Sequence, residues 1–328
     1  LLDDGRSVEM VAPSKPVPSW LPAAESALII RGTAEHPVRR LTLSGIALRH
    51  AGWNPPAAGW VGIQAGMWTT ADRRFRVQPA ACIVTYAADV TLDRLDVAAC
   101  AGAGIAIGRD CERVVVSRCT VQEVGGNGIW IGWRGNLHPD GMLTAIDEDW
   151  ESAAGAPRRC VIEGCTVRGA GRLDWGSVGI CDQFADASRI RFNRLDDLPY
   201  SGISSGFVWR SRRSTQGRGL IEGNDIQRVM RRLGDGAGIY TLGWQPGAVI
   251  RGNRIMNVQR HPRATGSANA GMYFDQCSRG ILVEGNQLMD IAGDPVRFNE
   301  VLPSAIFTDS DGGWSERPLT LIGPEALK

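Results

Sequence analysis

Three aspartates stand beside glycine or aromatic residues, in settings where a carboxylate can face a bound ligand. Asp235 lies in the glycine-rich segment 234–238, Asp275 ends the segment Gly-Met-Tyr-Phe-Asp, and Asp182 precedes a glutamine, as Asp275 does. Cleavage of a glycosidic bond requires two neighbouring carboxyl groups, because one protonates the leaving oxygen while the other attacks or activates water. The pattern predicts such chemistry for two of the three side chains. The alternative for each is a turn cap or an exposed partner for an arginine.

Aromatic and polar residues that can contact a sugar ring accompany these aspartates. Three long insertions, 50–79, 133–157 and 207–219, contain six of the 11 tryptophans. An indole in a loop either forms a platform for a sugar ring or packs against the body of the protein, and both interpretations stay open. The candidate ligand-binding residues are His50, Trp53, Gln64, Trp130, Trp209, Tyr240, Tyr273 and Gln276.

A repeated segment organises the chain around these residues. Its clearest copies are Ala248-Val-Ile-Arg-Gly-Asn253 and Ile281-Leu-Val-Glu-Gly-Asn286, in which a short hydrophobic run ends at a polar anchor. The anchors are Ile46, Leu95, Cys119, Cys165, Asn193, Asn224, Asn253 and Asn286. Their spacing indicates a unit of about two dozen residues, which loops of variable size lengthen.

A second short strand follows each anchor, as in Gly128-Ile-Trp-Ile-Gly132. Strands this short do not form an independent sheet, so we predict a right-handed parallel β-helix with one coil per unit. The 41 glycines are expected to supply the corner dihedrals, and the anchor asparagines to stack as a ladder. Cys119 and Cys165 fill the same slot, either as buried wall residues or as a disulfide. A β-propeller is the main rival, but it needs hairpin turns that the sequence lacks.

Alternation along the second strands predicts which side chains face outward. The outward row is Ala106, Trp130, Cys181, Ser204, Tyr240 and Tyr273. Such a row predicts a shallow groove suited to an extended glycan. Asp275 is expected to stand on this groove, with Asp182 in the equivalent place of an earlier coil. The three glutamates two residues before an anchor, at 163, 222 and 284, are expected to form a solvated ladder instead.

Composition excludes several other function classes. The chain of 328 residues carries 36 basic against 35 acidic residues, which argues against a nucleic-acid or membrane-surface partner. No run of 18 apolar residues occurs. The eight cysteines contain no C-x-x-C pair and the four histidines are scattered, so no metal site is expected. The cysteines are expected to be free, buried thiols. We expect a monomer.

The ends of the chain differ from its middle. We predict an N-terminal segment at 1–37, a β-helix domain at 38–300 and a C-terminal tail or cap at 301–328. The first residues lack the basic and apolar regions of a signal peptide and an initiator methionine, so a truncated chain is expected. The location stays open, with secretion or the periplasm favoured.

At four places the sequence resembles the right-handed β-helix enzymes of glycoside hydrolase family 141. The matching segments are Leu48-Arg-His50-Ala-Gly-Trp53, Pro199-Tyr-Ser-Gly-Ile-Ser204, Gly234-Asp-Gly-Ala-Gly-Ile-Tyr-Thr-Leu-Gly243 and Gly271-Met-Tyr-Phe-Asp275. The resemblance covers residues 38–300 and implies hydrolysis of plant cell-wall glycans, with α-L-fucosidase and xylanase activities in the family. It also implies that the family's pair of catalytic aspartates corresponds to Asp235 and Asp275.

Strand geometry raises a difficulty for this pair. Retaining glycosidases place their carboxyl groups about 5–5.5 Å apart and inverting ones roughly 6.5–9.5 Å apart. If residues 235–238 ran straight into the strand, Asp235 and Asp275 would lie further apart than either range. The neighbouring glycines must therefore fold Asp235 back over the face. Asp182 remains a substitute for either role.

Two other functions stay open. A polysaccharide lyase or uronate epimerase on the same fold would use arginines such as Arg210, Arg212 and Arg213, with Ca²⁺ on the acidic run 147–151. That run also fits a solvated loop. A non-catalytic glycan-binding β-helix would use the tyrosine row alone. An oligosaccharide or polysaccharide is the expected partner in every case, and no cofactor is expected outside the lyase alternative.

Overall fold

Short parallel strands make up most of the computed structural model, which describes residues 24–55, 62, 65, 68–69, 75–76, 78–132, 155–207, 213–301 and 319–322. The first ten strands are β1 (Leu28–Arg31), β2 (Val38–Ser44), β3 (Ala47–Arg49), β4 (Trp68–Thr69), β5 (Phe75–Arg76), β6 (Ala80–Thr85), β7 (Ala87–Asp93), β8 (Asp96–Ala98), β9 (Ala103–Ile107) and β10 (Cys111–Glu112). The next ten are β11 (Val115–Ser117), β12 (Thr120–Gln122), β13 (Ile129–Ile131), β14 (Val161–Glu163), β15 (Thr166–Arg168), β16 (Ile180–Asp182), β17 (Arg189–Arg191), β18 (Arg194–Asp196), β19 (Ile203–Ser205) and β20 (Leu220–Glu222). The last nine are β21 (Asp225–Val229), β22 (Ala237–Thr241), β23 (Trp244–Arg251), β24 (Arg254–Val258), β25 (Asn269–Phe274), β26 (Arg279–Glu284), β27 (Asn286–Ile291), β28 (Gly293–Phe298) and β29 (Leu319–Ile322). None of the described residues lies in a helix that could cross a membrane.

The strands form three nine-stranded parallel sheets, and most coils contribute one strand to each sheet. Sheet I has the order β1-β6-β9-β13-β16-β19-β22-β25-β28. Sheet II has the order β10-β7-β11-β14-β17-β20-β23-β26, and β2 also pairs with β7. Sheet III has the order β29-β27-β24-β21-β18-β15-β12-β8-β3. The predicted right-handed parallel β-helix is therefore confirmed, and the only antiparallel pairing in the described part of the chain joins β4 to β5.

Stacked apolar residues fill the interior, as the repeat requires. In sheet I, Ile105, Ile129, Ile180, Ile203 and Ile239 follow one another in register, one per coil. Each is at most 1% exposed, and full burial of such a side chain stabilises the fold by about 1.5–3 kcal/mol. In the described part of the chain these side chains fill the interior of the barrel, so we look for a ligand site on its outside.

The predicted asparagine ladder is confirmed at the corner between sheets II and III. The Nδ2 atoms of Asn193, Asn224 and Asn253 donate to Oδ1 of the next asparagine at 2.9–3.0 Å, the last acceptor being Asn286. The backbone N–H of Cys165 donates to Asn193 Oδ1 at 2.9 Å, so the cysteine slot continues the column.

All eight cysteines are free thiols, and seven are buried. The disulfide considered for Cys119 and Cys165 is therefore absent, and the buried-wall interpretation holds. Burial raises the pKa of Cys82 and Cys160 to about 12, which keeps these thiols protonated and unreactive at neutral pH.

Glycine has two separate structural roles in the coil, one at the corners and one at the starts of the sheet I strands. Before four anchors, Gly164, Gly223, Gly252 and Gly285 have φ of 60–62°, which confirms the expected corner role. The glycines that start the sheet I strands have a different reason. A Cβ on Gly238 would stand 2.3 Å from Ile255 Cγ2, so glycine lets sheet III side chains pack against the strand.

The predicted domain boundaries stay a prediction. Strand β1, within the predicted N-terminal segment, pairs with β6 in sheet I. Strand β29, within the predicted C-terminal tail, pairs with β27 in sheet III.

Candidate active site on the outer face of sheet I

The predicted outward row of sheet I exists, in the predicted register. Ala106, Trp130, Cys181, Ser204, Tyr240 and Tyr273 pair in succession, and Arg297 of β28 extends the row by one coil. The expectation of an open groove is wrong, because the six predicted side chains are at most 8% exposed.

Part of the first insertion packs against the turns that precede β13 and β16. Ala65 donates its backbone N–H to Gly176 O at 2.7 Å, and its carbonyl accepts a hydrogen bond from Asn127 Nδ2. Gln78 binds Ser177 Oγ at 2.8 Å and the Asp174 carboxylate. Ala65 and Gln78 therefore pack onto the barrel, whereas both interpretations of the tryptophans in this insertion stay predictions.

Asp275 follows β25 and receives three hydrogen bonds. Its Oδ2 accepts the hydroxyl hydrogen of Tyr240 at 2.5 Å. Its Oδ1 accepts from the backbone N–H of Gln276 at 2.8 Å and from Asn299 Nδ2 at 2.7 Å. Only 5% of the residue is exposed. The three donors hold the carboxylate in one orientation at the end of the row.

Asp235 reaches the same row from the loop that precedes β22. Its φ of 62° is unusual for a residue other than glycine. Two contacts hold the turn, since its N–H donates to Ser267 O at 3.0 Å and its carbonyl accepts from the Tyr200 hydroxyl at 2.6 Å. The half-buried side chain lies over the face, where Oδ1 accepts from the Tyr273 hydroxyl at 3.3 Å. The loop thus folds back, as the sequence analysis required.

Tyr240 and Tyr273 connect the two aspartates. Their rings meet edge to face, with centroids 5.3 Å apart and planes at 90°. Burial, with the nearby charge of Asp275 second, raises the pKa of both phenols well above the usual range. Both side chains therefore stay protonated and act as hydrogen-bond donors.

Three further residues of this site were not predicted from the sequence. Tyr200 orients the Asp235 turn, Asn299 binds Asp275, and the Arg297 guanidinium lies 5.0 Å from the Tyr273 ring centroid. Tyr200 lies in one of the four segments that resemble family 141, and this resemblance is the sequence feature that could have identified it. Arg297 and Asn299 belong to the last coil, where no anchor motif marks the repeat.

The predicted equivalence of Asp182 and Asp275 is wrong by one residue. Asp182 pairs with Ser205, and through Thr241 this column leads to Phe274 rather than to Asp275. Asp182 therefore faces the interior, where it is 1% exposed and accepts from Ser188 Oγ at 2.5 Å. Desolvation raises its pKa to about 6, against the lowering effect of its hydrogen bonds. The two Asp-Gln dipeptides therefore stand one residue out of register with each other.

The other predicted ligand-binding residues are spread along the molecule. Exposed His50 and half-buried Trp53 follow β3, six strand spacings or roughly 29 Å from Tyr273. Trp130 is buried, and its indole N–H has no partner among the described residues. Gln276 contributes its backbone N–H to the site. Gln64 and Trp209 lie outside the described residues.

The elements of the predicted lyase site fall mostly outside the described residues as well. The acidic run 147–151, Arg210 and Arg212 belong to these segments. Within the described ranges, no three His, Cys, Asp or Glu side chains cluster as metal ligands.

The glutamates 163 and 222 form ion pairs with Arg191 and Arg251, away from sheet I.

Comparison with solved structures identifies proteins of similar fold. A structure described as a glycoside hydrolase matches with a TM-score of 0.71 and 22% sequence identity, over 90% of this chain and 54% of the other. This chain thus spans about half the length of that hydrolase. At this identity the likeness shows a shared β-helix fold. No protein-family model and no curated protein matches the sequence.

Two further structures match less well. A surface adhesin of Streptococcus pneumoniae has a TM-score of 0.48 and 13% identity, over 80% of this chain and 70% of the other. A GH136 lacto-N-biosidase from Eubacterium ramulus has a TM-score of 0.43 and 11% identity, over 90% of this chain and 59% of the other.

Proposed function

We propose that the protein is a glycoside hydrolase in which Asp235 and Asp275 form the catalytic pair. The observation that carries the proposal is the convergence of two aspartates from adjacent coils on the edge-to-face phenols of Tyr240 and Tyr273. Two carboxyl groups held on one face by fixed donors match the requirement of glycosidic cleavage for an acid and a base or nucleophile. The similarity of fold to a solved glycoside hydrolase supports it.

The surroundings of the two aspartates favour different roles. Asp275 is almost fully buried and accepts three hydrogen bonds, so its carboxyl oxygens are held in a fixed position, as a nucleophile or base requires. Asp235 is half-buried and accepts one side-chain hydrogen bond at 3.3 Å, so it is free to approach a leaving oxygen. We assign Asp235 as the general acid and Asp275 as the base or nucleophile.

The two tyrosines are unsuited to serve as the base of a β-elimination, although the arginine-based lyase alternative does not depend on them. A lyase needs a base that removes a proton beside the sugar carboxylate. The raised pKa values of Tyr240 and Tyr273 disfavour the phenolate that such a base would be. Hydrolysis, in which the phenols only donate hydrogen bonds, fits the geometry better.

Substrate and location follow the resemblance to glycoside hydrolase family 141. We propose a plant cell-wall glycan, with an α-L-fucoside or a xylan-like chain as the first substrates to test. The polymeric nature of such substrates places the enzyme outside the cytoplasm in this proposal.

The test is a screen of fucosylated glycans and xylans for released reducing ends, together with absorbance near 235 nm. A hydrolase releases reducing ends without that absorbance, whereas a lyase produces it through its unsaturated product. Asp275→Asn and Asp235→Asn should each lower kcat by at least about a thousandfold, while circular dichroism stays unchanged. Asp225→Asn is the matched control, because Asp225 pairs with Arg254 on sheet III.

Two results would overturn the assignment. Full activity of either site variant would exclude that aspartate from catalysis. Glycan retention on an affinity gel without turnover of any substrate would make the protein a binding module.

A further inference from the structure

Two arginines contact one tryptophan at the corner between sheets I and II. The guanidinium carbons of Arg213 and Arg279 lie 4.5 and 4.1 Å from the ring centroid of Trp244. The three residues come from successive coils, and Trp244 and Arg279 are partners in the strand register. Gly280 makes room for the indole, because a Cβ there would stand 3.2 Å from Trp244 Nε1. The cluster is therefore fixed by the backbone.

The charges of these two arginines are not neutralised within the described part of the chain. Arg213 is exposed and Arg279 half-buried, and neither forms an ion pair with a described carboxylate. Arg279 Nε is buried and has no hydrogen-bond partner. By contrast, Arg109, Arg159 and Arg218, which lie at the same corner, all pair with carboxylates.

We propose that Arg213 and Arg279, positioned by Trp244, bind an anionic substituent of the glycan, such as the carboxylate of a uronic acid. Two guanidinium groups on one indole repel each other and present several N–H donors, and a carboxylate or sulfate ester satisfies both features. Near-neutral net charge overall is compatible with this, because the positive charge is local.

Arg279 of this cluster lies close to Asp275, one of the two proposed catalytic residues, on the turn that follows β25. Arg279 follows Asp275 by four residues, and the turn between them is closed by a hydrogen bond from Ser278 N–H to Asp275 O at 2.9 Å. An acidic sugar bound at the corner would therefore adjoin the sugar cleaved at Asp275. The inference rests on the proposed function for the identity of the ligand as a glycan, but the anion site itself does not depend on turnover.

Isothermal titration calorimetry with Asp275→Asn protein separates the two proposals. The probes are trigalacturonate, neutral xylotriose and glucose 6-sulfate. We expect an acidic probe to bind at least about tenfold more tightly than xylotriose, with an affinity that falls as salt is added. Arg279→Gln and, separately, exposed Arg213→Gln should each weaken acidic binding about tenfold. Arg254→Gln, which removes an ion-paired arginine of sheet III, should leave it unchanged.

The outcomes are distinct. Preference for trigalacturonate identifies a uronate ligand, and preference for glucose 6-sulfate identifies a sulfate ester. Equal affinity for acidic and neutral probes, or equal effects of Arg279→Gln and Arg254→Gln, overturns the anion site while leaving the hydrolase proposal intact. Acidic binding that depends on Arg279, together with a parent protein that hydrolyses none of the screened glycans, upholds the site and overturns the hydrolase.

Discussion

Tyr240 and Tyr273 stand edge to face on adjacent coils, and each phenol donates its hydrogen to a different aspartate. Tyr240 binds Asp275 and Tyr273 binds Asp235. The two carboxyl groups are thus linked through a rigid aromatic pair. Because parallel strands keep their register, a change at one phenol alters the position of its own aspartate first.

Removal of a single phenol hydroxyl should therefore affect the two aspartates unequally. Tyr240→Phe removes the 2.5 Å hydrogen bond to Asp275, and we expect kcat/KM to fall about tenfold to a hundredfold. Tyr273→Phe removes a 3.3 Å contact and should cost less. Steady-state kinetics on a substrate found in the screen measure both effects. Tyr86→Phe is the control, and equal kcat/KM for Tyr86→Phe and Tyr240→Phe would show that the hydroxyl has no part in catalysis.

The coil and its outward row could be predicted because they depend on local periodicity. Anchors such as Asn253 mark a corner, and alternation then assigns each strand residue to a face, which is why Tyr240 and Tyr273 were predicted in the correct register. The burial of that row could not be predicted. Burial depends on packing between segments that are distant in sequence, and contacts such as Ala65 with Gly176 span more than a hundred residues.

The aspartates show the limit of the same reasoning. Asp182 is the last residue of its strand and Asp275 lies one residue beyond its own, so similar dipeptides fall on opposite faces. The backward fold of Asp235 depends on Tyr200 and Ser267, both distant in sequence. Local patterns give the face of a regular strand, but they do not give the path of a loop.

The asparagine ladder should contribute strongly to stability. Asn253→Ala leaves the backbone N–H of Asn224 and one hydrogen of its Nδ2 group without an acceptor in a buried corner, while Nδ2 keeps its bond to Ile190 O. Each buried group left unsatisfied costs about 1–3 kcal/mol, so we expect the free energy of unfolding in urea to fall by at least about 2 kcal/mol. Exposed Asn54→Ala should change it by less than about 0.5 kcal/mol. Similar values for the two variants would contradict a stabilising ladder.

The two structural roles of glycine predict that replacement by alanine lowers the free energy of unfolding for two different reasons. Gly238→Ala puts a methyl group 2.3 Å from Ile255 Cγ2 and 2.9 Å from Gly271 O, and the clash should cost about 1–3 kcal/mol or more. Gly252→Ala meets no atom within 4 Å, but its φ of 60° is strained for alanine, which costs roughly 1 kcal/mol. Adding Ile255→Ala should relieve part of the destabilisation caused by Gly238→Ala. It should relieve none of the destabilisation caused by Gly252→Ala. Urea unfolding of the single and double variants measures this, and equal effects of Ile255→Ala in both backgrounds would argue against the packing explanation.

Asp182 should make stability depend on pH in an uncommon direction. Burial raises its pKa to about 6 in the folded protein, against about 3.9 when unfolded. Between these values the folded state binds more protons, so this group destabilises the fold progressively as pH rises from about 4 to 6, by roughly 3 kcal/mol in all. Asp182→Asn has no such titration. The stability of Asp182→Asn relative to the parent protein should therefore increase over that window and then stay level above it. Urea unfolding at pH values from 4 to 8 measures the difference, with exposed Asp290→Asn as the charge-matched control. A difference between Asp182→Asn and the parent that is constant across this range would rule out a buried, titrating Asp182.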